Sequence, residues 1–167
     1  VKRVSGQSLR EFAETQIFGP LGMHDSQILD DPNMIVRRRT SDYQPRPGGG
    51  WSIQIPLYRM VGNTGLYTTV GDLLKWEQNF VDARVGGRAL LDEMQTFGRL
   101  NDGRTIGYGF GLNLGMYRGL RTFGHGGDDF GYLSDVVRFP DQRLVIAVLC
   151  NRDSIDPRSF SRSVAEI

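Results

Sequence analysis

The spacing of apolar residues changes at one point of the 167-residue chain, and this change constrains the fold class. Before the turn signal Asn101-Asp102-Gly103, apolar side chains recur at helical intervals, and after it they alternate with polar residues and glycines. Helical spacing suits amphipathic helices, whereas alternation suits strands with one packed face. We therefore expect an α+β fold in one structural unit, with a mostly helical region over 1–100 and antiparallel strands followed by a helix over 101–167.

A first helix is predicted near the start of the chain. Ser8 and Glu11 have the spacing of a capping box, in which the serine accepts a hydrogen bond from the first turn and the glutamate reaches back to the cap. Apolar residues follow at helical intervals, and Gly19-Pro20 is a stop signal. We therefore expect this helix to cover residues 8–18.

A second helix and a long loop complete the first region. Thr69 and Asp72 form another cap pair ahead of apolar residues at helical intervals, which predicts a helix over 70–82. Between the two helices, residues 21–60 keep no period, and several prolines and a run of three glycines argue against regular structure. We expect a long loop there, with Trp51 as a core anchor.

The second region has the pattern of an antiparallel meander. Strands are predicted at 108–116, 120–124, 132–139 and 144–150. The last of them is continuously apolar, so we expect it to be fully buried. Asp156-Pro157 then predicts a terminal helix, because an aspartate cap followed by proline is a common helix start.

Charge and composition exclude several kinds of site. The 20 basic and 19 acidic residues leave a net charge of +1, and the basic run Arg37-Arg38-Arg39 stands alone, so no nucleic-acid partner is predicted. One cysteine, Cys150, and two histidines cannot form a zinc site, and we expect neither a metal nor another cofactor. The chain has no apolar span of the length that crosses a membrane, and a single cysteine leaves the compartment open.

The segment 124–131, GHGGDDFG, carries the strongest chemical signal. Gly126 and Gly127 leave consecutive strand positions without side chains, which lets a substrate approach the backbone closely. A main-chain N–H fixed at such a place can stabilise the oxyanion that develops in acyl transfer. Taken alone, these eight residues favour the simpler interpretation of a glycine-rich hairpin with a structural histidine.

Six short blocks follow one another along the chain. They are VSGQSL at 4–9, IFGPLGM at 17–23, GLYTT at 65–69 with Asp72-Leu73, YGFG at 108–111, HGG at 125–127, and FPD at 139–141 with Asn151. In this order they resemble the serine β-lactamase-like and penicillin-binding-protein-like hydrolases, which include class C β-lactamases, D-aminopeptidases, carboxypeptidases and esterases. The resemblance covers nearly the whole chain and implies part of the β-lactamase fold.

The resemblance also shows what the chain lacks. Members of the family use a Ser-x-x-Lys helix for nucleophile and base, a Tyr-x-Asn element, and a Lys-Thr-Gly or His-x-Gly strand that lines the cleft. Only the third element has a counterpart here, since neither Lys2 nor Lys75 follows a serine at the required distance and no Tyr-x-Asn is present. The resemblance therefore implies the C-terminal part of a serine hydrolase that acts on esters or amides through an acyl-enzyme, and we expect the chain alone to be inactive.

The same resemblance assigns roles to individual residues. His125 takes the place of the family's strand lysine, Gly127 is the small position of that motif, and the backbone N–H of Asp128 is the second oxyanion donor. Asn63 and Gly65 are expected to shape the cleft wall, although a simple turn explains them equally well. Because an unperturbed imidazole is mostly neutral at pH 7, histidine in place of lysine favours small ester, amide or peptide substrates over β-lactams.

Two other interpretations follow from the sequence. The oxyanion loop of α/β-hydrolase lipases is set aside, because the chain has no Gly-x-Ser-x-Gly elbow and its strands do not alternate with helices. A non-catalytic binding or scaffolding module that keeps the fold stays open. By the resemblance, N-terminal strands pair beside the last strand, so their absence predicts self-association through the exposed strand 144–150.

Overall fold

The computed structural model describes residues 1–54 and 61–167. Near its start, a cap at Ser8 begins the second of two short helices. A short helix, α1 (Lys2–Ser5), precedes the cap, and α2 (Leu9–Ala13) follows it. The Ser8 hydroxyl accepts from the Glu11 N–H, and the Glu11 carboxylate accepts from the Ser8 N–H at 2.8 Å. Both bonds of the capping box are thus present, and they place the start of α2 at Leu9.

The helix continues beyond the predicted stop. After α2 the chain forms a π-helical turn (Glu14–Phe18) and then a last helical turn, α3 (Gly19–Leu21). Pro20 lies in the first turn of α3, where a missing backbone N–H is tolerated, so Gly19-Pro20 does not end the helix as predicted. Gly22, with a φ of 70°, ends it instead.

The segment between the helices was wrongly predicted to lack regular structure. It contains three short strands, which are β1 (Gln27–Ile28), β2 (Asp42–Pro45) and β3 (Trp51–Gln54), and its residues 55–60 lie outside the described part of the chain. A fourth strand, β4 (Leu66–Tyr67), follows. β1 pairs with β4 and β2 pairs with β3, both antiparallel. Trp51 is 44% exposed rather than a core anchor, because its ring lies on the outer hairpin under the Arg152 guanidinium, 4.4 Å away.

Two further helices precede the large sheet. α4 (Val70–Asp82) covers the range expected from its cap, and the Thr69 hydroxyl accepts from the Asp72 N–H at 3.2 Å. α5 (Gly87–Met94) follows, and the small hairpin of β5 (Gly98–Arg99) and β6 (Thr105–Ile106) leads toward the sheet.

The main sheet is an antiparallel meander of four strands. These are β7 (Asn113–Tyr117), β8 (Leu120–Asp129), β9 (Tyr132–Phe139) and β10 (Leu144–Cys150), in the spatial order β10-β9-β8-β7. β7 is shorter than the predicted strand 108–116, because the glycine-rich residues before it turn against the end of α5. A Cβ at Gly109 would lie 2.3 Å from the Met94 carbonyl oxygen, so only glycine fits there.

Helices cover both faces of this sheet, so the chain has the expected α+β fold. On one face α6 (Pro157–Val164) packs over a core cluster formed by Val137, Phe139 and Ile146. The other face holds a second cluster, shared with α4 and α5, that includes Phe80, Leu91 and Leu114. In the part of the chain that the structure describes, no helix combines the length and apolarity needed to cross a membrane.

The last strand, β10, is less buried than predicted. Leu144 is 38% exposed and Leu149 is 40% exposed, so the expectation of a fully buried strand is wrong. The reason is its place in the sheet: within residues 1–54 and 61–167, β10 pairs only with β9 and forms an edge. Its apolar sequence reflects contact with α4 on one face and α6 on the other.

Candidate functional site

The pairing of β8 decides where the His-Gly-Gly residues point. β9 pairs with β8 over residues 123–129, so His125 lies opposite Val136 and Gly127 lies opposite Ser134. β7 pairs with β8 only over 120–124, so the outer edge of 125–128 has no partner strand among the residues that the structure describes. Because side chains alternate along a strand, His125 shares the sheet face of Phe123, which packs toward α4 and α5.

The three glycines of β8 differ in the space around them. A Cβ at Gly124 would lie 2.0 Å from the Val136 carbonyl oxygen, whereas a Cβ at Gly126 would lie 3.3 Å from the Ser134 carbonyl oxygen. At Gly127 the obstacle is a side chain, the Ser134 hydroxyl at 2.5 Å. Gly124 therefore serves strand packing, while the exposed backbone at Gly127 and Asp128 stays accessible beside the open edge.

His125 is exposed and forms hydrogen bonds through both ring nitrogens. Its Nε2 lies 3.0 Å from the Tyr108 hydroxyl, and its Nδ1 contacts the carbonyl oxygen of Gly126. The Tyr108 and His125 rings meet edge to face, with centroids 5.8 Å apart. Tyr108 was predicted to lie in a strand and in the YGFG block of the family resemblance, but no local pattern indicates its contact with His125, 17 positions away.

A cavity of about 1010 Å³ lies beside the end of β8. Four of the predicted site residues line it, namely Asn63, Gly65, Gly127 and Asp128. His125 and Gly126, the other two, do not line this cavity, which begins one residue further along the strand. The structure therefore brings the loop at 63–65 to the end of the glycine-rich strand, with His125 beside the cavity rather than in its wall.

Hydrogen bonds hold the loop at 63–65 in this place. Gly65 is buried with a φ of 92°, and its carbonyl oxygen accepts from the Leu29 N–H at 2.7 Å. The Thr64 hydroxyl donates to the Asp129 carboxylate at the end of β8. The sequence did not predict this hydrogen bond, because its partners lie 65 positions apart. Asn63, the first residue of the loop, is exposed. Thr64 thus joins the cavity wall to the strand that carries the candidate oxyanion donor.

The opposite wall of the cavity combines aromatic rings with a fixed positive charge. The Arg39 guanidinium lies 5.0 Å from the centre of the Tyr67 ring, which meets the Tyr132 ring edge to face at 6.0 Å. Burial raises the pKa of Tyr67, so this phenol stays neutral at physiological pH. Burial alone would lower the pKa of Arg39, but its hydrogen bond to Tyr132 and the neighbouring phenols raise it, and the guanidinium keeps its charge.

The structure shows how the other chemistry-bearing groups are used. The Lys75 ammonium donates to the Gly22 carbonyl at 2.6 Å and to Asp72 at 2.8 Å. Within residues 1–54 and 61–167, no hydrogen bond joins a serine hydroxyl to a lysine or histidine, and no group of three or more His, Cys, Asp and Glu could hold a metal ion. Among the described residues, the candidate site therefore has an exposed strand edge but no activated nucleophile.

Comparison with known sequences assigns almost the whole chain to one family. Residues 1–165 match the family model described as "Beta-lactamase". A D-aminopeptidase of Brucella anthropi is 28% identical over 155 residues, and one of Brucella ovis is 27% identical over 157 residues. Each match covers 90% of this chain and 29% of the relative, so the chain spans less than a third of the length of these proteins.

Solved structures share the fold at low sequence identity. A penicillin-binding protein homologue from Pyrococcus abyssi, described as octameric, superposes with a TM-score of 0.85 at 23% identity, covering 99% of this chain and 39% of its own. A penicillin-binding protein from Bacillus halodurans gives 0.82 at 19% identity, with 99% and 50% coverage. A D-amino acid amidase from Ochrobactrum anthropi SV3 gives 0.73 at 22% identity, with 99% and 50% coverage.

Proposed function

The chain belongs to the β-lactamase family, and we propose on this basis that it supplies the C-terminal part of a serine hydrolase that cleaves esters or amides through an acyl-enzyme. The nucleophile and its base would come from Ser-x-x-Lys and Tyr-x-Asn elements outside the 167 residues. The relatives are D-aminopeptidases and the structural neighbours include a D-amino acid amidase, which favours amides as the substrate class.

The open edge of β8 is the observation that carries this proposal. Gly127 and Asp128 are exposed beside a cavity of about 1010 Å³, and no strand covers their outer edge within the described parts of the chain. A backbone N–H held in a strand is fixed before the substrate arrives, so it can stabilise a developing oxyanion without reorganising. We assign this role to the Asp128 N–H as the second donor, with the amide of the nucleophilic serine as the first.

His125 and the cavity wall would orient the substrate. His125 takes the strand position where other members have lysine, and it lies two residues before the exposed Gly127. Asn63 and Gly65, which line the cavity at the end of the strand, would form part of the cleft wall. Substrates would enter between these elements with the scissile carbonyl directed at the β8 edge.

A serine-directed fluorophosphonate probe tests this proposal. The probe is reacted with this chain and with the protein expressed from its full natural reading frame. We expect labelling of the longer protein alone, because the nucleophile lies outside the chain. Labelling of neither protein would instead support a non-catalytic binding or scaffolding module with the same fold.

A pair of variants at Asp128 then tests the oxyanion donor. Asp128→Pro removes the backbone N–H, and an edge position tolerates proline when that N–H faces away from the neighbouring strand. Asp128→Ala keeps the N–H and serves as the matched control. In the longer protein we expect the proline variant to label about a hundredfold more slowly, as expected for loss of one oxyanion donor, and the alanine variant to label within a few fold of the parent. Equal rates for the two variants would rule out this role.

A further inference from the structure

We propose that Tyr108 and His125 act as one unit, in which His125 orients the Tyr108 hydroxyl and the phenol oxygen accepts a hydrogen bond from the substrate beside the candidate oxyanion edge. This inference rests on the proposed function and adds a substrate preference to it. A site of this kind favours a substrate that carries a hydrogen-bond donor, such as a free ammonium group next to the scissile amide.

The contacts of His125 favour one tautomer of its neutral ring. Nδ1 contacts the Gly126 carbonyl oxygen, and a carbonyl oxygen can only accept, so the proton of the neutral ring is on Nδ1. Nε2 is then an acceptor, and the Tyr108 hydroxyl at 3.0 Å donates to it. Both ring nitrogens are thereby occupied within the protein, so His125 would act on the substrate through the Tyr108 hydroxyl rather than through its own nitrogens.

The backbone around Tyr108 is built to hold it in this place. The Tyr108 carbonyl accepts from the Gly98 N–H at 2.9 Å, and Tyr108 forms an isolated bridge with Asn113. A Cβ at Gly107 would lie 2.9 Å from the Leu114 carbonyl oxygen, and one at Gly109 would lie 2.3 Å from that of Met94. Glycines on both sides therefore let the chain pack tightly against its neighbours, which fixes the direction of the phenol.

The direction of this hydrogen bond decides what the pair can bind. Because the Tyr108 hydroxyl uses its proton to donate a hydrogen bond to Nε2, the phenol oxygen offers only lone pairs to other groups. Tyr108 is 39% exposed and, like His125, lies outside the cavity lining, so a ligand would reach it from the solvent side of this edge. An ammonium or amide N–H can donate to these lone pairs, whereas a carboxylate would meet a second acceptor. The pair therefore selects for donor groups, unlike the lysine it replaces, which attracts carboxylates.

Nuclear magnetic resonance of the chain labelled with nitrogen-15 at histidine tests the hydrogen-bond arrangement directly. The chain has two histidines, and a His24→Gln variant identifies their signals. We expect the neutral His125 ring to show a protonated Nδ1 and an unprotonated Nε2. A proton on Nε2 would overturn the proposal, because Tyr108 could then only accept from the ring.

A matched pair of tyrosine variants separates the role of Tyr108 from a general structural effect. Tyr108→Phe is expected to shift the Nε2 signal of His125 and leave that of His24 in place. The control is Tyr117→Phe, which removes a hydroxyl that bonds Glu166 at 2.7 Å, and it should leave both histidines unchanged. An unchanged His125 spectrum in folded Tyr108→Phe would refute the assignment. The histidine spectrum does not depend on turnover, so a negative result here can be distinguished from failure of the proposed hydrolase function.

Kinetics of the longer protein test the substrate preference. For an aminoacyl amide with a free amino group, Tyr108→Phe should raise KM about tenfold, the value of one hydrogen bond to a charged group, with a smaller change in kcat. For the N-acetylated counterpart, the change in KM should be less than about threefold. Equal changes for both substrates would contradict the proposed preference for a donor group.

Discussion

Gly124 shows at the level of single residues how the sheet constrains its own sequence. The nearest atom to a Cβ at this position is the Val136 carbonyl oxygen at 2.0 Å, which belongs to the backbone of β9 and cannot rotate away. At Gly115 of β7 the nearest atom is the Thr122 hydroxyl oxygen at 3.7 Å, an ordinary van der Waals contact. One glycine is therefore required by strand packing and the other is not.

Gly124→Ala should destabilise the protein strongly, and Gly115→Ala should not. We expect the first substitution to lower the free energy of unfolding by about 2–4 kcal/mol, because β8 and β9 must separate to admit the methyl group. The second should change it by less than about 1 kcal/mol, and in the stabilising direction if the loss of glycine flexibility dominates. Urea denaturation measures both values, and similar losses at the two positions would contradict the steric argument.

A buried ion pair joins helix α4 to strand β9. Glu77 and Arg138 are each about 5% exposed, and their charged atoms lie 3.6 Å apart. Arg138 also donates to Gln95 at 3.0 Å and stacks on the Phe80 ring at 3.9 Å. Burial raises the pKa of Glu77 to about 7 despite the neighbouring arginine, and burial also lowers the pKa of Arg138. The ion pair links α4 to β9, but the attraction between its charges does not fully offset the free energy that both groups lose on leaving water.

This pair predicts a pH dependence of stability. Below the ordinary pKa of 4.5, Glu77 is protonated in both the folded and the unfolded chain, and above pH 7 it is ionised in both. Between these values only the folded chain keeps the proton, so stability should fall as the pH rises, by about 3 kcal/mol in total. Glu77→Gln should remove this slope. Denaturation at several pH values measures it, with exposed Glu93→Gln as the control that should retain the wild-type slope.

The elements that sequence predicts best are those fixed by local contacts. α4 and α6 begin where expected, because Thr69 and Asp156 cap helix N–H groups no more than three residues away. The β2–β3 hairpin was missed because β2 has no alternation of apolar and polar residues and prolines and glycines surround it, although β3 alternates over four residues. β7 was predicted too long because glycines continue the alternation while turning against α5. Contacts outside the segment decide such cases, and periodicity does not contain them.

The residues of the candidate site also differ in whether the sequence alone could identify them. The glycine-rich strand could be recognised from consecutive residues, and so could Asn63 and Gly65, which lie with Gly127 and Asp128 on one cavity. The bonds from Tyr108 to His125 and from Thr64 to Asp129 join residues 17 and 65 positions apart. Sequence spacing carries no record of such partners, so only the folded chain identifies them.

At the scale of the whole molecule, β10 leaves an apolar edge. This strand pairs only with β9 within the described ranges, and Leu144 and Leu149 are 38% and 40% exposed. An apolar edge strand of seven residues is a template for pairing with another strand. We therefore expect the isolated chain to form dimers or larger assemblies through β10.

Light scattering across a concentration series measures this association. Leu144→Lys places a charge on the edge, away from the residues that line the cavity, and should shift the chain toward monomer. Leu90→Lys, at an exposed position of α5 that is 47% accessible, adds the same charge elsewhere and should leave association unchanged. A monodisperse monomer of the unmodified chain at high concentration would contradict the prediction.

The order of the strands also bears on how fast this sheet forms. β7 to β10 lie side by side in chain order, and only two to four residues connect each pair, with positive φ at Arg118, Gly119 and Phe130 in the first two turns. Each pairing therefore closes a short loop, which costs little entropy and keeps contact order low for a sheet. The strand that carries the candidate oxyanion donor can thus fold from its chain neighbours by successive hairpins.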